Sequence, residues 1–196
     1  MYLGNDIVEI TKALSNFKNT KARLYNYSLS STEKKRFAKL LEDDRCFWLL
    51  WSMKEALYKS YVKAGLRERF NPKTIEISSI ARQSSKHFTG FALYNKTLYN
   101  ISSSIDDTSI HSISYQKQKQ QSIIQAQKKI DNNDYNSQHQ EVRRLVLEQL
   151  PNERQNVWRI KKDVHQIPYL LHNDNRCHHE ISLSHHENMV GAAILF

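Results

Sequence analysis

The chain is predicted to be an α+β protein of two similar halves, and three observations carry that prediction. Residues 3–10 form a short apolar run in which Ile7, Val8 and Ile10 suit a buried strand. Helix signals fill residues 30 to 63, and from about residue 70 the pattern changes to short β-rich runs. Finally, Ser112-Ile-Ser-Tyr115 followed by 122–126 echoes Ser182-Leu-Ser-His185 followed by 190–194, as two hairpins of similar character would.

Each element has a local cause. Residues 12–26 are mixed and basic, a helix or a turn. Ser30-Ser-Thr-Glu33 is a capping box, and the helix it opens should run through Phe37 to about Leu41. Asp43 and Asp44 can cap a second helix over 45–63, with Phe47, Leu50, Trp51, Leu57 and Tyr61 available for burial and Gly65 as its stop. Strands are expected at 74–77, 88–94, 109–115 and 122–126. Residues 127–140 are polar and predict an exposed connection. Val142, Leu145, Val146 and Leu150 then mark a helix over 141–150 that Pro151 ends. Strand-like 156–160, extended 167–171 and two β runs near 181–184 and 189–196 complete the chain. The expected division is therefore 1–126, a connection over 127–140, and 141–196.

Composition narrows the function. A chain of 196 residues can bury a real core, and no apolar run approaches the ~18 residues that span a bilayer. The first residues lack the basic segment of a signal peptide, so the cytoplasm is expected, with no membrane role. Cys46 and Cys177 form no Cys-x-x-Cys pair and suit free thiols in a reducing compartment. A formal charge of +9 attracts polyanions, whether nucleic acid, anionic membrane or an acidic protein, and selects none of them alone.

The chemistry concentrates in Trp51-Ser-Met-Lys-Glu-Ala-Leu-Tyr-Lys59. Glu55 and Lys59, four apart, share one helix face. An isolated pair of this kind is usually solvated and contributes ~0.2–0.5 kcal/mol. On a largely apolar helix, with Lys54 adjacent, such charges need a partner or a water-filled cleft. Asp6 could merely cap a turn, or it could join Glu55 around a hard divalent cation. Mg²⁺ takes one or two carboxylates plus substrate phosphate and keeps several waters. Ser182, Ser184 and His185 are donors suited to phosphate, although a polar strand end with a surface histidine would look the same. Cys177-His-His-Glu180 and His185-His-Glu187 match no zinc spacing. Carboxylates for a cation and lysines for phosphate together suggest chemistry on a phosphate ester.

These elements resemble the 4′-phosphopantetheinyl transferases. Gly4-Asn-Asp6-Ile-Val-Glu-Ile10 is similar to that superfamily's Gly-x-Asp-Ile segment, and Trp51-x2-Lys54-Glu55-Ala56-x2-Lys59 to its Lys-Glu helix. Ile167-Pro-Tyr-Leu170 and Ser182-Leu-Ser-His185 resemble its Pro-containing and Ser-x-Ser-His segments. The resemblance implies transfer of the phosphopantetheine arm of coenzyme A to a serine of an apo acyl- or peptidyl-carrier protein, releasing 3′,5′-ADP. It implies that Asp6 and Glu55 hold Mg²⁺, that Lys54 and Lys59 neutralise phosphate charge, and that Glu55 or a metal-bound water takes the serine proton. Ser184 and His185 would grip a coenzyme A phosphate. Carrier proteins are typically acidic, which gives the basic charge a partner; Arg23, Lys34, Lys35 and Arg36 are candidates for steering it in.

Two departures from the pattern stand out. Val8 occupies the place of a second acid in the longer, surfactin-type enzymes, so water would replace one metal ligand. Gln166 stands where a glycine often precedes the x-Pro segment. The motif order, with Asp and Lys-Glu first and Ser-x-Ser-His last, suggests a permuted two-half enzyme with a complete site in one monomer. The rival is a short-type holo-acyl-carrier-protein synthase, a trimer sharing its sites. From other classes come a basic nucleic-acid-binding module without catalysis, for which no recognition motif is present, and a degenerate member that binds carrier protein without turnover.

Overall fold

The computed structural model describes residues 2–15, 17–94, 96–116, 122–151 and 157–196. Strand β1 (Leu3–Glu9) leads through helices α1 (Ile10–Ser15), α2 (Phe17–Ser28) and α3 (Ser31–Arg36) to the long helix α4 (Asp44–Lys63). The capping box forms: Ser30 Oγ accepts the Glu33 N–H, and the Glu33 carboxylate accepts the Ser30 N–H, each at 3.1 Å. Helix α3 stops at Arg36, and a separate 3₁₀ turn, Leu40–Glu42, replaces its expected last turn. Asp43 caps α4 by accepting the Arg45 N–H. Past its end Gly65 adopts φ 109°, the left-handed geometry that glycine enters without steric cost.

Strands β2 (Ser79–Arg82), β3 (His87–Tyr94), β4 (Thr97–Ile105) and β5 (Ser109–Tyr115) join β1 in an antiparallel sheet of order β1-β5-β4-β3-β2. Then come β6 (Ile123–Lys129), helix α5 (Tyr135–Glu148), β7 (Trp158–Lys162), β8 (Pro168–His172), β9 (Asn175–Arg176), β10 (Glu180–His186) and β11 (Met189–Leu195). A second sheet has the order β10-β11-β6, and a small third one β7-β8-β9. The order β6-β11-β10 repeats β1-β5-β4. In both, a strand and a helix precede two strands, the last of which pairs with the first. Helix α4 covers β1 and β5, and α5 covers β11 and β10. The resulting α+β architecture is the class expected.

Alternation along β1 joins the layers. Gly4 faces α4, while Asn5 and Ile7 face the second sheet, where Leu3, Ile113, Ala193 and Leu195 form an apolar cluster. A Cβ on Gly4 would lie 2.0 Å from the Ala56 carbonyl oxygen, so helix and strand meet backbone to backbone. Gly4→Ala should force α4 off β1 and cost about 3 kcal/mol, readable as a lower urea midpoint with the slope unchanged.

Four sequence expectations are corrected. Residues 74–77 are not a strand. A 3₁₀ turn spans Pro72–Thr74, the Ile75 carbonyl accepts from Lys54 Nζ, and the Ile77 N–H donates to Glu33 Oε1, so side chains take the place of a ladder. Strand β4 was not expected, because the run Ser102-Ser-Ser104 hides an alternation in which Tyr99, Ile101, Ser103 and Ile105 are buried. The exposed connection is shorter than 127–140, only 131–134: β6 runs to Lys129, and α5 starts at Tyr135 behind an Asp134 cap that accepts the Asn136 and Ser137 N–H groups. Its polar first turns look like a linker in sequence. Nor do the stretches at 109–115 and 122–126 form a hairpin, since β5 pairs with β1 and β4 and β6 pairs with β11. Strand β6 therefore belongs to the second sheet. The first residue of the strand expected at 156–160, Asn156, lies outside the described residues.

Candidate active site

Asp6 points from β1 at α4 and meets Glu55 there, side chain to side chain. Asp6 is buried, and its Oδ2 has no hydrogen-bond partner in the protein. Burial pushes its carboxyl well above the usual carboxylate range, and the neighbouring Glu55 adds to the rise, while Lys59 opposes it. Ser52 Oγ donates to the Asp6 carbonyl, tying helix to strand at this level. Lys59 Nζ lies 3.4 Å from Asp6 Oδ1 and donates to the Asn5 carbonyl at 2.7 Å. The helical spacing of Glu55 and Lys59 thus sets both beside one strand carboxylate. Among the described residues no group of three or more His, Cys, Asp and Glu could hold a metal. Val8 is buried in the core, so it leaves the carboxylate pair without a third acid.

The pair fits a hard cation. An acceptor oxygen that is buried and orphaned, next to a second carboxylate, is the donor set that Mg²⁺ takes before substrate phosphate and water complete its shell. Without a cation the two like charges oppose each other.

A cleft of about 320 Å³ opens beyond Lys59. Lys59, Lys63, Lys162, His139, His165 and His185 line it together with apolar side chains; among the described residues no acid does, although Glu180 pairs with Lys63 from behind. Lys63, one turn past Lys59, was legible as the next residue of the same stripe. His139, Lys162 and His165 come from α5, β7 and the turn before β8, and no motif links them. Burial lowers the His185 pKa, with Lys59 and His139 adding to the fall. Gln166 holds φ 63°, the left-handed geometry that glycine would adopt freely, so the departure in sequence leaves a strained residue in the cleft wall.

Two expected ligands are elsewhere. Lys54 does not face the cleft. It is fully buried, and its ammonium donates to Glu33 Oε2 at 2.6 Å and to the Pro72 and Ile75 carbonyls at 2.8 Å. All three of its protons are spent pinning α3 and the 72–77 segment to α4. Ser184 does not reach the cleft either. Successive strand residues face opposite ways, so His185 on the cleft side puts Ser184 on the β1 side, where it accepts from Asn5 Nδ2 and donates to the Gly191 carbonyl. Among the steering candidates, Arg36 is paired with Glu76 and the Ile77 carbonyl, and Lys34 donates to Asn26.

His111 was not anticipated. It is buried in the seam between the two large sheets, and burial holds its pKa down at about 3. The unfolded chain binds a proton below pH ~6.5 that the folded chain refuses, so stability rises with pH across this window. His111 should therefore cost on the order of 2 kcal/mol at pH 5 relative to pH 8. Urea unfolding across that range should show a steeper slope in the native chain than in His111→Gln, the difference being the share His111 contributes.

A family model described as the 4′-phosphopantetheinyl transferase superfamily matches residues 2–141, more than two thirds of the chain. That span contains β1, α4 and the whole first sheet, and so Asp6, Glu55 and Lys59. No curated protein and no solved structure matched.

Proposed function

Since the chain belongs to the 4′-phosphopantetheinyl transferase superfamily, we propose that it moves the phosphopantetheine arm of coenzyme A onto a serine of an acidic apo acyl- or peptidyl-carrier protein in the cytoplasm. One observation supports this most: the buried Asp6 carboxylate meets the half-buried Glu55 beside Lys59 at the edge of a basic cleft. The cleft suits a polyanionic donor, and the carboxylates suit a divalent cation on it.

In this reading Asp6 and Glu55 hold Mg²⁺, which when bound neutralises pyrophosphate charge. Lys59 stabilises the charge that grows on the transferred phosphoryl group. Glu55, less buried than Asp6, accepts the serine proton as the serine oxygen attacks phosphorus. The bond from that phosphorus to the bridging oxygen breaks, and 3′,5′-ADP leaves. His185 holds a donor phosphate on the opposite wall, whereas Lys63, on α4 beside Lys59, is buried against Glu180 and the Ile181 carbonyl. The carboxylates, Lys59 and His185 all come from one chain, which supports an active monomer over a trimer that shares its sites.

The test is to incubate the protein with coenzyme A, Mg²⁺ and several apo carriers, then weigh each carrier. A phosphopantetheine mass gain that needs Mg²⁺ is expected; no gain on any carrier would refute the reading. Sedimentation of the active sample should give a monomer.

A further inference from the structure

The cleft and the carboxylates leave one polar cluster without a role, and it lies directly behind Lys59. Asn5 is fully buried on β1, the edge strand of its sheet. Its peptide N–H donates to Ser182 Oγ at 2.9 Å, and its carbonyl accepts from Lys59 Nζ at 2.7 Å. Its side-chain amide lies 2.8 Å from Ser184 Oγ and 3.2 Å from His111 Nε2. The orientation of that amide is determined by its neighbours. Ser184 spends its one proton on the Gly191 carbonyl, so Asn5 Nδ2 must be the donor to Ser184. A neutral His111 can then accept the second amide proton. This leaves Asn5 Oδ1 buried without a partner.

An orphaned buried oxygen lowers stability, and an apolar side chain at position 5 would avoid it. The cluster is therefore poorly explained as a stabilising device. What it does accomplish is positional. Two serines from β10 and a histidine from β5 hold one residue of an edge strand, and the carbonyl of that residue sets where the Lys59 ammonium sits.

We propose that Asn5, clamped by Ser182, Ser184 and His111, is a positioning residue that holds Lys59 Nζ over Asp6 for the transfer step. The second sheet thereby adjusts a charge carried on α4 without touching the substrate. The proposal rests on the transferase reading above and gives Ser184 a task in place of phosphate binding.

The experiment compares the native chain, Asn5→Val/Ser184→Ala, Lys59→Met and the combination of all three. The double variant removes both partners of the bond together with the orphan oxygen but leaves His111 Nε2 without its donor, so the two changes offset and its melting temperature should stay within a few degrees of native. Its coenzyme A-induced thermal shift and KM for coenzyme A should stay near native, because neither side chain enters the cleft. Its kcat should fall roughly ten- to a hundredfold. Adding Lys59→Met should cost no more than Lys59→Met alone, because Asn5 acts through that ammonium. Ser184→Thr, which keeps the hydroxyl, should restore most of the kcat lost in Ser184→Ala. An unchanged kcat, additive losses with Lys59→Met, or a fall in melting temperature that accounts for the lost activity would each overturn the proposal. If the native chain itself transfers nothing, the transferase reading fails first, and the two failures are told apart.

Discussion

Lys54→Met should destabilise the protein by about 3–5 kcal/mol while leaving the KM for coenzyme A near native. The variant leaves the Glu33 carboxylate buried at full charge and strips the Pro72 and Ile75 carbonyls of a donor. Glu33 keeps its other tasks, accepting from the Ser30 and Ile77 N–H groups, so the uncompensated charge cannot escape to water. Glu33→Gln with Lys54→Met should recover only part of the loss, because the lone buried charge is gone but the single amide oxygen can accept from one of the two N–H groups while the NH₂ faces the other. Urea unfolding of the four chains measures the coupling. The opposite pattern, native stability with a raised KM, would return Lys54 to the phosphate.

Asp6→Asn should abolish transfer, a loss of at least about 10²-fold, while the metal-free protein becomes no less stable at pH 7. Asp6 has a folded pKa raised above its unfolded value. Its contribution to stability is therefore complete below the unfolded pKa, near pH 4, and is lost as pH rises through the folded one. Asparagine does not titrate and escapes that loss. Melts in chelator from pH 4 to 8 should show the native chain losing stability relative to Asp6→Asn as pH rises. Mg²⁺ should raise the native melting temperature and leave the variant unmoved. Equal response of both chains to Mg²⁺ would separate Asp6 from the cation. Glu55→Gln should likewise be folded and inactive.

Much of this site was legible before any coordinates. Alternation along 3–9 and a four-residue step along α4 are properties of neighbouring bonds, and they suffice to give Asp6, Glu55 and Lys59 common directions. The capping box at Ser30 and Glu33 was legible for the same reason. Lys54 was misread because sequence places it beside Glu55, whereas about 100° of helical rotation turns it toward Glu33. Ser184 was misread because one step along a strand reverses the side chain, and only packing reveals which face is the cleft.

Sequence by itself determined the family, the candidate residues Asp6, Glu55 and Lys59, and the strand and helix that carry them, because caps, periods and motifs act over a few residues. Tertiary structure alone decided that β6 joins the second sheet, that Lys54 serves the core, and that Asn5 rather than a substrate phosphate engages Ser184. Those outcomes depend on contacts between residues as far apart as 5 and 184, whose meeting is set by how whole sheets pack and by which buried polar groups must find partners.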